Sequence, residues 1–142
     1  MLIVMDTNLV DILIKQHNEL RRGIEVIKEE SQKDAPVFSA LFAGLEQFNK
    51  SLFGHLSLEN NVFYPKLLEK LESQGLNTGD TRKFIEEMKE IEKQIRGFLG
   101  KYGSSGQIEK NLSSFKPDLN EMAVVLLIRI YSEENGVYLY WG

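Results

Sequence analysis

The 142-residue chain contains no cysteine, which removes disulfides, zinc–thiolate sites, iron–sulfur clusters and thiol nucleophiles together. It has only two histidines, so there is little material for general-base catalysis. No glycine-rich phosphate loop follows a strand pattern, and no Walker-type or dinucleotide fingerprint is present. Serines are frequent, yet none sits in a nucleophile elbow. The longest strong apolar run, Met122 to Ile128, falls far short of a membrane span. The opening Met-Leu-Ile-Val-Met-Asp is too brief for a signal peptide, so a cytoplasmic location is expected. The net charge of −4 gives no reason to expect nucleic acid or an anionic membrane surface as a partner.

What is present is ordinary globular composition, 42% hydrophobic and 27% charged, in a length that suits a single domain over residues 1–142. Four amphipathic helices account for nearly all of it. The first is expected to start at Asp6-Thr7-Asn8, any of which can cap it, and to carry Val10, Leu13, Ile14, Leu20, Ile24 and Ile27 on one stripe. The second begins around Pro36 and runs to about Ser73, with a kink or break expected at Pro65. The third spans about Thr81 to Tyr102, with Gly103 as a left-handed cap. Residues 107–117 are ambiguous, and the fourth helix is expected from about Asp118 to Tyr138. Short connections between four such helices predict an all-α, up-down-up-down antiparallel bundle. A faint repeat at an offset of 75 residues aligns Leu20-Arg21 with Ile95-Arg96 and Glu59-Asn60 with Glu134-Asn135. The aromatic tail Tyr138-Leu-Tyr-Trp141 either packs on the bundle or forms a homodimer surface, and packing is the favoured reading.

The segment His55-Leu-Ser-Leu-Glu59 places an imidazole and a carboxylate four residues apart, on one helix face. Leu41, Leu45, Phe48 and Leu52 lead into that face at helical spacing, and Val62 follows, so both polar groups point at a core. His17 falls within the stripe of the first helix. Glu134 is in phase with Ala123, Leu127, Ile130 and Val137, although Glu133 could face inward instead. Glu92 sits beside the stripe of the third helix. The plain alternative is that these are satisfied core histidines and edge carboxylates paired with Arg21, Arg22, Arg96 or Arg129. Against it stands the coincidence that both histidines lie on apolar stripes, one with a carboxylate at i+4. Buried imidazole and carboxylate are costly unless a cation neutralises them, and this thiolate-free set suits iron, manganese or zinc.

Gln16-His17-Asn-Glu-Leu-Arg21, His55-x-x-x-Glu59 with Val62-Phe-Tyr-Pro65, and the outline Tyr131-Ser-Glu133-Glu134-Asn-Gly-Val137-Tyr138-Leu-Tyr140 together resemble the hemerythrin-like family, from about Asn8 to Trp141. The resemblance implies a duplicated helical hairpin with two carboxylate-bridged non-haem irons at its centre. It also implies a role in binding dioxygen, in oxygen, nitric oxide or redox sensing, or in iron handling. Carried over by position, it implies His17, His55, Glu59 and Glu134 as metal ligands, with Glu92 as a further carboxylate where the family has histidine on the third helix. On the fourth helix the family's histidine is replaced by Ile130, which cannot bind metal. With so few imidazoles, one or two irons serving sensing or iron handling are expected, not reversible oxygen carriage or enzymatic turnover. The competing expectation is a metal-free bundle that acts as an interaction or regulatory module.

Overall fold

The computed structural model describes residues 2–141, with side chains from residue 8 onward. All regular structure among them is helical: α1 (Leu2–Ser31), α2 (Phe38–Leu58), α3 (Tyr64–Ser73), α4 (Gly79–Lys101), α5 (Ser105–Lys110) and α6 (Leu112–Glu134). A π-helical turn, Glu59–Phe63, joins α2 to α3, and a 3₁₀ turn, Val137–Tyr140, follows α6. α1 is already helical from Leu2, ahead of the expected start, and the side chains of Asp6 and Thr7 as caps lie outside the described residues.

The expected break at Pro65 takes the form of this π turn. Proline has no amide hydrogen and its ring crowds the carbonyl four residues earlier, and a widened turn relieves both demands without ending the rod. The turn inserts one residue into the helical period. Phe63 is therefore buried in place of the expected Val62, and Tyr64 beside it is buried too.

The ends of the elements follow local chemistry. α3 closes on Gly75, whose φ of 70° is the left-handed conformation that glycine adopts without strain. Leu76 N–H reaches back to the Leu71 carbonyl at 2.9 Å, and Gly75 N–H to the Glu72 carbonyl at 3.0 Å. Gly103 does not take the left-handed conformation assigned to it from sequence; among the described residues Gly75 alone has positive φ. Instead Ser104 starts α5, its hydroxyl accepting from Gln107 N–H at 3.1 Å. The ambiguous stretch thus holds α5 and the first turns of α6.

α6 stops at Glu134, short of the expected Tyr138. Gly136 is required there, since a Cβ at this position would lie 2.5 Å from the Ser132 carbonyl oxygen. The close crossing lets the chain fold back so that Val137 and Tyr138 enter the core, while Leu139 and Tyr140 stay exposed. Trp141 packs against Phe63 with ring centroids 5.4 Å apart. Of the tail, Tyr138 and Trp141 pack on the helices as the favoured reading had it, and Leu139 and Tyr140 do not.

The core has two apolar parts. One gathers Leu20, Ile24 and Ile27 of α1, Leu41 to Leu56 of α2, Ile95, Phe98 and Tyr102 of the α4 end, and Phe115 to Ile130 of α6. The other gathers Leu9 and Leu13 of α1, Phe63 to Leu71 of the π turn and α3, and Val137 and Tyr138, with Phe84 and Ile85 of α4 against it. Where α1, α2–α3 and α6 pass from one part to the other they carry buried polar residues: His17, then His55 and Glu59, then Arg129 and Glu133.

Candidate metal centre

His17, His55, Glu59 and Glu133 are all buried, and one ligand atom from each lies within 4.8 Å of the others. His55 and Glu59 come from successive turns of one rod, His55 Nε2 standing 3.1 Å from Glu59 Oε1. From α1, His17 Nε2 is 3.1 Å from His55 Nε2 and 3.1 Å from Glu133 Oε1. The other nitrogen of each ring is occupied. His17 Nδ1 lies 2.8 Å from Glu134 Oε2, and His55 Nδ1 lies 2.8 Å from Gln16 Oε1. With both Nδ1 atoms donating outward, both Nε2 atoms converge on the same interior point, the arrangement by which outer partners fix metal-binding histidines.

Glu133, not Glu134, is the carboxylate that α6 contributes. The buried face of α6 reads Leu119, Met122, Leu126, Arg129, Ile130 and Glu133, whereas Leu127, used to phase Glu134, is exposed. Glu134 lies one position off this face and is part-buried. It binds His17 from outside and takes Arg21 Nη2 on its other oxygen at 2.8 Å. Glu92 is not brought to the cluster at all. It pairs with Arg96 one turn on, at 3.0 Å. Of the arginines named in the plain alternative (Arg21, Arg22, Arg96, Arg129), Arg21 and Arg96 pair with Glu134 and Glu92 as it expected, whereas Glu59 and Glu133, which Arg129 contacts, are buried and not at an edge.

Three further residues that were not assigned to the site complete it. Arg129 is buried, with Nη2 3.2 Å from Glu59 Oε1, Nε 3.7 Å from Glu133 Oε1, and Nη1 donating to the Met88 carbonyl of α4 at 3.2 Å. Tyr64 donates its phenolic hydrogen to Glu133 Oε2 at 2.5 Å. Tyr138 donates to Glu59 Oε2 at 2.8 Å and lies 3.1 Å from His17 Nε2. The signal for Arg129 was its spacing: Arg129-x-x-x-Glu133 is His55-x-x-x-Glu59 displaced by one residue less than the offset of 75. At that shorter offset Tyr64 also meets Tyr138 and Leu56 meets Ile130. For α1 and α4 the offset of 75 still pairs His17 with Glu92 and Arg21 with Arg96.

The electrostatics follow from burial. Burial raises the Glu133 carboxyl to about 7, aided by the nearby Glu59. Burial lowers the His55 imidazole to about 3, so its ring is neutral. Burial also works against charge on His17, but its contacts with Glu133 and Glu134 outweigh it and raise that ring. Both phenols are pushed up, first by burial and then by the two carboxylates, and so act as hydrogen-bond donors. Arg129 is disfavoured by burial, yet Glu133 and Glu59 raise it on balance, and it remains a fixed positive charge.

Two imidazole nitrogens facing each other at 3.1 Å are satisfied by a shared hydrogen or by a cation between them. The donor set of two nitrogens and two carboxylates fits a metal ion of the iron, manganese or zinc kind. The ligand atoms lie within 4.8 Å of one another, a little wider than the roughly 4.0–4.4 Å that opposite ligands of one ion span with bonds of about 2.0–2.2 Å.

Fold and centre define an all-helical protein with a buried histidine–carboxylate cluster of cation-binding type. The chain belongs to the hemerythrin family: it matches the model of the hemerythrin HHE cation binding domain over residues 8–140. It is also similar to the iron-sulfur cluster repair protein YtfE of Pectobacterium carotovorum, 29% identical over 65 residues, 42% of this chain and 29% of the relative. A probable iron-sulfur cluster repair protein of Haemophilus influenzae is 28% identical over 67 residues, 43% of this chain and 30% of that one. The chain spans only about 30% of the length of these curated relatives. No solved structure is matched. Among the described residues no helix is long and apolar enough to cross a membrane.

Proposed function

We propose that this chain is a non-haem iron-binding protein in which His17, His55, Glu59 and Glu133 hold the metal, serving redox or oxygen sensing or iron handling in the cytoplasm. The observation that carries it is the convergence of two Nε2 atoms and two carboxylates whose outer partners are already committed. The cluster-repair names of the relatives add weight to an iron-related role. Iron held there would supply a one-electron couple and an affinity for dioxygen or nitric oxide. The protein's own part is to orient the imidazoles, to shield the site from water between two apolar cores, and to hold phenolic hydrogens on both carboxylates. No turnover is proposed.

The same reading takes the architecture as an up-down-up-down bundle of four rods: α1, α2–α3, α4 and α6. What supports it is alternation. α1 and α4 begin in the second apolar part and end in the first, whereas α2–α3 and α6 with its tail run the other way.

The test is anaerobic titration of tag-free protein with ferrous ion, followed by thermal unfolding and by elemental analysis. An ion that binds only the folded state raises the melting temperature, by about 2.7 kcal/mol of added stability at a hundredfold excess over Kd. His55→Ala should abolish the gain. No gain in the wild type at any ferrous concentration would leave the metal-free interaction module as the better reading, for which Arg129 already supplies a counter-charge to the carboxylates.

A further inference from the structure

Resting on that reading, we propose that the guanidinium of Arg129 stands in for a second cation, so that the centre takes one metal ion per chain and not a pair.

Position supports this first. In the second half of the chain Arg129 precedes Glu133 by the same four residues that separate His55 from Glu59. It therefore holds the place where a second imidazole would be needed, and its neighbour Ile130 is a buried hydrocarbon. The guanidinium lies against both carboxylates, 3.2 Å from Glu59 and 3.7 Å from Glu133, and is tied across to the Met88 carbonyl. That tie fixes the positive charge between α6 and α4, the side of the centre that has no nitrogen ligand. Met88 and Ile95 are the buried residues of α4 there, and Glu92 is turned to Arg96.

Charge supports it independently. As metal ligands both carboxylates must be deprotonated, so Glu59 and Glu133 bring two negative charges, and Arg129, which does not deprotonate in proteins, brings one positive. On formal charges, one divalent ion takes this set to a single net positive charge. Two ions would take it to three, in a site whose members are 0–2% exposed. Uncompensated charge of that size is not sustained in a buried setting. Glu134 offers no relief, because Arg21 already neutralises it.

The experiment loads wild type, Arg129→Gln and Arg129→Lys anaerobically with ferrous ion and reads iron per chain and the metal-induced shift in melting temperature. One iron per chain is expected for wild type. Two irons per chain would overturn the inference and leave the iron-binding function standing. No iron would overturn that function and this inference with it. Arg129→Gln, which removes the charge and keeps a hydrogen-bonding group, should be less stable without metal and show a larger metal-induced shift than wild type. Arg129→Lys should keep a shift close to that of wild type. A merely structural arginine would lower the metal-free and metal-loaded forms alike, leaving the shift unchanged in Arg129→Gln, and that result would also count against the inference. If Arg129→Gln does not fold, the wild-type stoichiometry decides.

Discussion

Tyr64 and Tyr138 hold each other's half of the molecule: Tyr64 donates to Glu133 on α6, and Tyr138 donates to Glu59 on the first-half rod. Each phenol thus satisfies a carboxylate that belongs to the opposite repeat. A hydrogen bond to a charged group contributes about 1.5–3 kcal/mol. Tyr64→Phe and Tyr138→Phe should each lower stability by about that much. Urea unfolding of the metal-free protein measures it. A change within error for both would show that the two carboxylates do not depend on the phenols.

The reassignment from Glu134 to Glu133 has a direct test. Glu133→Gln should remove most of the iron-induced stabilisation. Glu134→Gln alters only the partner of His17 Nδ1 and should weaken iron binding by about 10–100-fold, the usual cost of losing such an outer contact. Glu92→Gln should leave the affinity unchanged, because its carboxylate faces Arg96. Anaerobic ferrous titrations of the three variants rank them. A larger loss in Glu134→Gln than in Glu133→Gln would reverse the assignment.

Gly136→Ala should destabilise by about 1–3 kcal/mol, the range for forcing extra atoms into a packed place. The added Cβ meets the Ser132 carbonyl, a backbone atom that cannot swing aside. Since the 3₁₀ turn must then shift, Trp141 should lose its packing on Phe63, and its fluorescence should move to longer wavelength. An unchanged spectrum and melting curve would mean the turn tolerates the methyl.

Asp118 is one source of acid sensitivity away from the centre. The Tyr102 hydroxyl, 2.5 Å away, and the Lys101 ammonium, 2.9 Å away, hold its carboxyl below the usual range. A carboxyl lowered on folding stabilises above its unfolded pKa and loses that contribution as pH falls through the folded value. Wild type should therefore be more stable than Asp118→Asn at neutral pH, and the difference should shrink on acidification below about pH 4. Melting temperatures of both proteins from pH 7 to pH 3 trace it. A gap that stays constant across that range would assign the difference to packing instead.

The helices were legible because their stripes are simple. Leu13, Leu20, Ile24 and Ile27, or Leu41, Leu45, Phe48 and Leu52, recur at helical spacing with nothing charged among them. The same simplicity exposed His17, His55 and Glu59. On α6 the pattern fails as a guide, because a buried arginine interrupts the true stripe and apolar Val124, Leu127, Ile128 and Tyr131 lie outside it. Hydrophobicity alone then favours the wrong phase by one residue, which selects Glu134. Glu92 misled for a different reason. A carboxylate next to a stripe is on its edge when an arginine waits one turn away, and Arg96 does. The π turn was legible only as the break expected at Pro65; the residue it inserts, which buries Phe63 in place of Val62, was not.

That inserted residue is also a setting of angle. Each residue of an α-helix advances the face by about 100°. Shortening the chain by one position within residues 60–62 would tighten this turn toward α-helical pitch and take away the room it gives Pro65. It would also rotate Phe63, Tyr64, Leu67 and Leu71 together, away from the second apolar part and from Glu133. The irregular turn is thus the adjusting joint between two halves of one rod, and its length keeps the far half aimed at the same axis as the near one.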